Sequence, residues 1–308
     1  MSPEMRALVW WARLTVRPIL RSPAATRLLL RTARRAPTAP PRSLLSRHRV
    51  RAETTPSGFP LWTVTPRENA SGPASAPTVF YLHGGGYIFS IGPVHWRFVR
   101  HLADAGHRVV VPTYGLAPAH DHRAALPHLT GVYARTVTEA RRDGRGLAVL
   151  GDSAGGGLAL ALVQNLPADL PRPERLVLLS PWLDVTMSHP EVRAAERAEA
   201  MLGRPGLLIA ARAWAGDVDL SDPRVSPIEG PILNLPPVEI HVSGAELLLS
   251  DARRLRDRLA EAGRPVRLWI EPDAIHDHPL TATPEGARAR ETITTALRRG
   301  ADAPGTDA

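Results

Sequence analysis

Short runs of apolar residues alternate along the chain with longer stretches in which apolar residues recur every three or four positions. The apolar runs are about four to eight residues long, as expected for strands buried on both faces. They lie at residues 59–65, 78–82, 107–112, 147–150, 175–182, 238–244 and 266–270. The helical stretches lie at residues 94–105, 123–141, 154–162, 249–262 and 285–299. This alternation predicts an α/β fold with a mainly parallel, doubly wound sheet flanked by helices.

Two segments fall outside this alternation. In residues 1–50, arginines interrupt the apolar runs every few positions, which predicts one or two amphipathic helices. Residues 184–218 hold an Ala-, Glu- and Arg-rich helical pattern between two predicted strands. We therefore predict an N-terminal basic helical cap segment over residues 1–50 and an α/β domain over residues 51–308, with residues 184–218 as a cap insertion.

Positive charge is concentrated at one end of the chain. The 308 residues carry a formal net charge of +8, yet residues 1–51 contain twelve Arg against a single acid, Glu4, so the remaining 257 residues sum to −3. This distribution does not fit a nucleic-acid partner, which a globally basic chain would suggest. The basic segment can pack as a lid over an active site with its arginines in water, or lie as an interfacial helix on a membrane. We favour the lid over peripheral membrane contact.

Several absences narrow the chemistry. The chain has no Cys, so disulfides, thiol catalysis and Cys-ligated metals are excluded. His120, His122 and His128 form a cluster without a carboxylate at ligand spacing, so we expect no metal and no cofactor. The N-terminal apolar runs are too short to span a membrane and lack a small-residue cleavage site, which favours a cytoplasmic location.

The sequence Gly-Asp-Ser-Ala-Gly at residues 151–155 is the strongest chemical signal. It follows a predicted strand and opens a predicted helix, the context in which Gly-x-Ser-x-Gly presents a nucleophilic serine. Glycines on both sides leave room on a turn too tight for a Cβ atom. Ser153 is therefore the predicted nucleophile, near the positive end of the following helix. The simpler alternative is a serine that only caps this helix.

A glycine run, His83-Gly84-Gly85-Gly86, directly follows the strand at residues 78–82. Ester hydrolysis builds negative charge on the carbonyl oxygen, which backbone N–H groups can stabilise, and glycines let the backbone approach a substrate closely. We predict an oxyanion hole made by the N–H groups of Gly85, Gly86 and Ala154. His83 precedes the serine, so we interpret it as organising the loop rather than as a base.

The base is expected late in the chain, because a Gly-x-Ser-x-Gly serine is followed by the acid and then by the histidine. Four histidines follow the serine. His189 falls in the predicted cap and His241 within a predicted buried strand. His276 and His278 lie in a loop just after the last predicted strand, and His276 is our first choice.

Three carboxylates are candidates for the orienting acid. Glu246 stands just past the strand at residues 238–244 and is our first choice. Asp251 comes second, since it can instead serve in the first turn of the next helix. Asp184, after the preceding strand, is third.

Together these motifs resemble the hormone-sensitive-lipase-like family of α/β-hydrolases, from about residue 75 to the C-terminus. The resemblance rests on His-Gly-Gly-Gly (83–86), Tyr-Gly-Leu-Ala-Pro (114–118), Gly-Asp-Ser-Ala-Gly-Gly (151–156), Ser-Pro-Trp-Leu-Asp (180–184), Asp-Pro-Arg-Val-Ser-Pro (222–227) and Gly-Ala-Glu-Leu-Leu (244–248). Two motifs depart from the usual pattern. Gly115 stands where arginine is usual, and Glu246-Leu247-Leu248 stands where many members have Asp-Pro-Leu.

The resemblance implies an α/β-hydrolase fold with an eight-stranded-type, mainly parallel sheet and a helical cap. It also implies a serine carboxylesterase that hydrolyses short- to medium-chain acyl esters, so the expected partner is a small-molecule ester. A lactonase, an amidase or a sterol-acetate-type hydrolase could use the same triad, since the cap pocket selects the leaving group. A non-catalytic ligand-binding protein on the same fold is the alternative outside enzymes. The sequence specifies no oligomeric state.

Overall fold

A computed structural model describes residues 1–32, 37–67 and 76–298 of the chain. The strands are β1 (Arg49–Thr54), β2 (Pro60–Thr65), β3 (Thr78–Leu82), β4 (Val109–Pro112), β5 (Leu147–Asp152), β6 (Arg175–Leu179), β7 (Val238–Ser243) and β8 (Val266–Glu271). The helices are α1 (Pro3–Arg21), α2 (Pro23–Thr32), α3 (Arg42–Leu45), α4 (Pro93–Asp104), α5 (His122–Arg142), α6 (Ala154–Gln164), α7 (Pro190–Ala195), α8 (Arg204–Ala215), α9 (Leu249–Glu261) and α10 (Pro284–Arg298). Residues 299–308, which include the last residue of the predicted C-terminal helix, lie outside the described residues.

The eight strands form one sheet in the order β1-β2-β4-β3-β5-β6-β7-β8. β2 is antiparallel to both β1 and β4, and every other neighbouring pair is parallel. The prediction of a mainly parallel, eight-stranded α/β sheet is therefore confirmed. In such a sheet the loops after the parallel strands meet along one edge, where ligands bind.

The interior strands are apolar because both of their faces are covered. Every residue of β3, β5 and β7 is buried. One face of the sheet packs against a core built with α5, α6 and α9, and the other against a core built with α4 and α10. The edge strand β1 differs, because most of its residues are exposed. It was not predicted, and it spans the expected boundary between residues 50 and 51.

Helices α1 and α2 pack against α8, which lies within residues 184–218. The start of α1 is tied to α10, where the Ser2 hydroxyl donates to Glu285 Oε2 over 2.8 Å. Its middle is tied to the segment after α7 by two guanidinium groups: Arg13 donates to the carbonyl of Ala198 at 3.2 Å and Arg17 to that of Glu196 at 2.7 Å. The basic N-terminal helices thus rest on the inserted segment. Within the described ranges, no helix is long and apolar enough to cross a membrane.

Candidate active site

Ser153 stands between β5 and α6 on a strained turn. Its backbone φ and ψ angles of 51° and −120° lie in a region that residues other than glycine rarely adopt. The backbone holds it there, because its N–H donates to Leu179 O at 2.8 Å and its carbonyl accepts from Gly157 at 3.1 Å and Trp182 at 2.9 Å. The hydroxyl consequently projects from the C-terminal edge of the sheet.

The flanking glycines are required by space rather than by backbone angles. A Cβ atom on Gly151 would lie 2.2 Å from the carbonyl oxygen of Gly155, and one on Gly155 would lie 2.2 Å from that of Leu82. Both contacts are with backbone atoms, which cannot swing aside. The predicted reason for these glycines therefore agrees with the packing.

His276 lies between Ser153 and Glu246, and all three side chains are buried. Its Nε2 is 2.9 Å from Ser153 Oγ, and its Nδ1 is 3.0 Å from Glu246 Oε2. Burial alone would lower the pKa of His276, but the nearby carboxylates of Asp277 and Glu246 raise it. The three first-choice residues therefore form one hydrogen-bonded chain.

The other candidates lie elsewhere. Asp251 accepts the N–H of Asp184 at 3.1 Å, and Asp184 accepts the hydroxyl of Thr186. Burial, followed by the charge of Asp184, raises the pKa of Asp251 to about 7. His278 begins a short 3-10 turn, and burial lowers its pKa to about 3. None of these side chains contacts Ser153.

Asp277 is a second carboxylate beside the imidazole. Its Oδ2 lies 3.3 Å from His276 Nε2, on the side that faces Ser153. The residue has a left-handed φ of 55°, and its N–H donates to Ser180 Oγ at 3.1 Å. Burial raises its pKa well above the usual value, although the charge of His276 acts in the opposite direction. No motif singled out this residue, because its role depends on the fold of the loop.

The glycine run faces the serine from the end of β3. Gly85 and Gly86 have φ angles of 112° and 60°, and both line a cavity together with Ser153. Their N–H groups have no acceptor among the residues that the structure describes. Ala154 is the first residue of α6, so its N–H has no carbonyl partner within its own helix. The three predicted donors thus belong to segments that meet at the serine.

Asp152 holds this loop in place, which sequence reasoning missed. It is fully buried beside the nucleophile, and its carboxylate accepts the Gly84 N–H at 2.9 Å and the Tyr81 hydroxyl at 2.5 Å. A Cβ atom on Gly84 would lie 2.3 Å from the same carboxylate. The residue just before the serine in Gly-x-Ser-x-Gly therefore fixes the start of the glycine run.

A family model described as the alpha/beta hydrolase fold matches residues 79–280, more than half of the chain. The chain belongs to the α/β-hydrolase fold family. An acetyl-hydrolase of Streptomyces hygroscopicus is 33% identical over 227 residues, which cover 72% of this chain and 75% of that protein. Esterase LipU of Mycobacterium tuberculosis is 34% identical over 224 residues, covering 70% of this chain and 75% of that protein.

The solved structures extend the likeness over nearly the whole chain. The crystal structure of an esterase from the bacterial hormone-sensitive lipase family matches this hydrolase with a TM-score of 0.77 at 26% identity, covering 98% of this chain and 99% of that one. The resemblance to the hormone-sensitive-lipase-like family is confirmed. With the esterase and acetyl-hydrolase relatives, it places this α/β-hydrolase among carboxylic ester hydrolases.

An aromatic stack joins the glycine run to the inserted segment of the hydrolase. The ring of Tyr87 lies parallel to that of Trp214 on α8, with 4.2 Å between centroids, and also stacks with Trp182, with 5.6 Å between centroids. All three side chains are buried. The stack therefore packs α8 against the residue that directly follows the glycine run.

Glu199 makes a second connection from the inserted segment. Its buried carboxylate accepts N–H groups from Met201 at 2.7 Å and Leu202 at 3.0 Å with one oxygen, and from Leu247 at 3.0 Å with the other. Leu247 follows Glu246 directly, so Glu199 fixes the loop that carries the candidate acid. Sequence reasoning missed this residue, since its link to Leu247 spans 48 positions of the chain.

The serine opens onto a cavity of about 600 Å³. Its apolar wall comes from three parts of the chain, listed here: Leu8, Trp11, Val16 and Leu20 on α1; Met201, Leu202, Leu207 and Ala210 in the inserted segment; and Ile88, Phe89, Ile275 and Leu280 in the main domain. This size falls within the range of small-molecule sites. A ligand with an apolar chain fits such a wall.

The histidine cluster has separate structural contacts. The rings of His120 and His128 pack on Phe59, and His122 Nδ1 lies 3.3 Å from the carbonyl oxygen of Trp214. Within the described ranges, no group of three or more His, Cys, Asp or Glu side chains is placed to hold a metal ion. His83 stacks on Tyr114, and its Nδ1 lies 2.7 Å from Gly84 O, so its contacts are with the loop.

Proposed function

We propose that this hydrolase is a serine carboxylesterase in which Ser153, His276 and Glu246 form the catalytic triad. The observation that carries the proposal is the hydrogen-bonded chain from Ser153 Oγ through His276 to Glu246 at the bottom of an apolar cavity. A serine needs an adjacent base, and the base needs an orienting group. The buried Glu246 supplies the negative charge that stabilises the imidazolium once it forms.

The reaction proceeds by acyl transfer. Ser153 Oγ attacks the ester carbonyl carbon while His276 Nε2 takes the hydroxyl proton. The carbonyl oxygen becomes negative and accepts hydrogen bonds from the N–H groups of Gly85, Gly86 and Ala154. His276 then gives its proton to the departing alcohol oxygen, which leaves an acyl-serine. A water molecule repeats the attack with the same proton transfers and releases the carboxylic acid and the free serine.

The cavity supports the proposed substrate class. Its apolar wall favours the acyl chain of a short- to medium-chain ester, and the cavity size limits the length of that chain. Relatives named acetyl-hydrolase and esterase are in line with this class.

The test compares the purified protein with Ser153→Ala on p-nitrophenyl esters of increasing acyl length. We expect hydrolysis by the native protein and a loss of at least about 10³-fold in kcat for the variant, because the nucleophile is gone. Ser188→Ala, at an exposed serine of the inserted segment, is the matched control and keeps its activity. A well-folded native protein that cleaves no ester would overturn the proposal and redirect the assays to amides and lactones.

A further inference from the structure

The outward side of α1 is apolar, which is unusual for a surface helix. Ala7, Trp10, Trp11, Leu14 and Pro18 follow one another at helical spacing and are all exposed; we call them the Trp10 face. The exposed fractions are 63% for Trp10, 55% for Trp11 and 72% for Leu14. Outward positions of a surface helix normally carry polar side chains, and a contiguous exposed apolar patch marks an interaction site.

The inward side of α1 is already occupied, so the Trp10 face is not available for internal packing. Met5, Val9 and Ala12 are buried in a cluster with Ala274 and Ile275, next to the base. Met5 Sδ accepts the N–H of Ile275 at 3.4 Å. Because these contacts fix the rotation of the helix, Trp10 and Leu14 point away from the protein.

Unpaired arginines border this face. Arg6 precedes it and Arg21 follows it on the same helix, and Arg27 and Arg31 lie on α2 beside the exposed Leu28. All four arginines are exposed and form no ion pair or side-chain hydrogen bond with the residues that the structure describes. Guanidinium groups pair well with phosphate oxygens, often with two parallel hydrogen bonds. An apolar strip between arginines and with an indole ring is typical of a helix that lies at the surface of a bilayer.

The Trp10 face reaches the entrance of the active site. Trp11 is half exposed and also lines the cavity that contains Ser153. Val94, on the main domain, is likewise exposed and lines the same cavity. The apolar surface therefore continues from the outside of α1 to the cavity through Trp11, although the charged Glu4 and Arg97 line the same cavity.

We propose that the Trp10 face docks on an anionic phospholipid surface, with the indole and leucine side chains among the acyl chains and the flanking arginines at the lipid phosphates. The docked helix places the cavity entrance against the membrane. This docking does not depend on the proposed ester hydrolysis. It is compatible with the lid position of α1, because the lid contacts use the inward side of the helix and docking uses the outward side.

Charge argues against a second copy of the chain as the occupant. A two-fold interface would bring the Trp10 face of one copy against that of the other, so Arg6 and Arg21 would meet arginines from the same clusters with too few acids to compensate. Glu4 is the single acidic residue among the first 51. An anionic lipid surface satisfies the apolar and the charged side chains at once.

The test is cosedimentation of the full chain with vesicles of phosphatidylcholine alone or mixed with phosphatidylglycerol. We expect binding that rises with the phosphatidylglycerol content and falls with salt. Trp10→Ser with Leu14→Ser and, separately, Arg6→Glu with Arg21→Glu each reduce the partition coefficient at least about tenfold. Both double variants hydrolyse a soluble ester at the native rate, since none of these four residues lines the cavity.

The matched control is Arg141→Glu with Arg142→Glu, at the exposed end of α5, which changes the net charge equally. This end of α5 lies near the start of β4, at the sheet edge opposite the serine, so the control keeps vesicle binding. Binding that is absent, insensitive to phosphatidylglycerol or lost equally in the control would refute the proposal. Sedimentation equilibrium would also refute it if the native protein were a dimer and the Trp10→Ser, Leu14→Ser variant a monomer. The Trp10 face would then be covered by a second copy of the chain.

Discussion

Two carboxylates act on the imidazole of His276 from opposite sides. Glu246 contacts Nδ1 at 3.0 Å, where it orients the ring. Asp277 lies 3.3 Å from Nε2, the atom that receives the serine proton in the proposed mechanism, while Ser153 Oγ lies at 2.9 Å. An ionised Asp277 favours the protonated imidazole, in which Nε2 is blocked as a base, whereas burial favours the neutral Asp277 carboxyl.

Replacement of Asp277 shifts the pH dependence. Asp277 raises the pKa of His276, so Asp277→Asn lowers that pKa, and the neutral base becomes available at lower pH. We expect the rising acid limb of the profile of kcat/KM against pH to move to lower pH, with an active enzyme retained. The measurement is a pH series on a soluble ester. An acid limb at the same pH in both proteins would show that Asp277 carries no charge that the base senses.

Glu246 and Asp251 are separated by a direct comparison. Glu246→Ala removes the hydrogen-bond partner of the base, and we expect kcat to fall by about 10²–10⁴-fold. Asp251→Asn keeps most of the activity, because this side chain lies against Asp184 rather than the base, and its burial, which raises its pKa to about 7, favours a neutral group there. Steady-state kinetics on one ester decide the matter. The reverse pattern would assign the acid to Asp251.

Sequence motifs can predict groups that chain order constrains, and miss those that tertiary contacts create. Ser153 could be predicted because Gly-x-Ser-x-Gly marks a tight turn that carries a nucleophile. His276 could be predicted because the histidine of such a site follows the acid in the chain, in the loop after the last strand. Asp152, Glu199 and Asp277 could not be predicted, since an aspartate or glutamate is common at exposed positions and only the tertiary fold shows which groups its carboxylate contacts. For Asp152 that partner is Gly84, 68 positions away.

Two glycines within helices differ in how much space surrounds them. Gly157 lies in the first turn of α6, where a Cβ atom would be 2.2 Å from Trp182 O and 2.9 Å from the Tyr87 hydroxyl. Gly131 lies on the exposed side of α5 with nothing within 4 Å of such an atom. The first glycine allows close packing beneath the elbow, whereas the second only weakens a helix.

The two substitutions to alanine therefore have opposite effects. Gly157→Ala forces a backbone clash, and we expect the free energy of unfolding to fall by at least about 2 kcal/mol. Gly131→Ala raises it by about 0.5–1 kcal/mol through the better helix propensity of alanine. Urea unfolding of both variants measures the difference. Equal effects would mean that the first turn of α6 can move away from Trp182.

The helices and strands that were predicted share a strong apolar pattern. β3 was predicted at its observed residues, because a strand covered on both faces is an unbroken apolar run. β1 was missed for the opposite reason. It is an exposed edge strand with the sequence RVRAET, and its pairing with β2 rather than its hydrophobicity makes it a strand.

At the scale of the whole molecule, the cavity exists only where the N-terminal helices, the inserted segment and the sheet meet. No single part of the chain encloses it, so its size could not be predicted from motifs. The parts are joined by hydrogen bonds from side chains to distant backbone groups, such as those of Arg13, Arg17 and Glu199. In the proposed esterase, acyl-chain selection is therefore expected to depend on all three parts together, and a single wall residue can test it.

Ala210 is that residue. It lies on α8, is buried, and lines the cavity. Ala210→Phe places a ring in the space that an acyl chain would occupy, so we expect the preferred p-nitrophenyl ester to become shorter while acetate is still hydrolysed. Because the ring enters an existing cavity rather than a packed core, the melting temperature changes by only about a few degrees. Arg212→Phe, two positions along on the exposed side of α8, adds the same ring outside the cavity and keeps the native preference. An unchanged preference in Ala210→Phe would mean that the acyl chain lies along another wall of the cavity, and that α8 does not limit the length of the acyl chain.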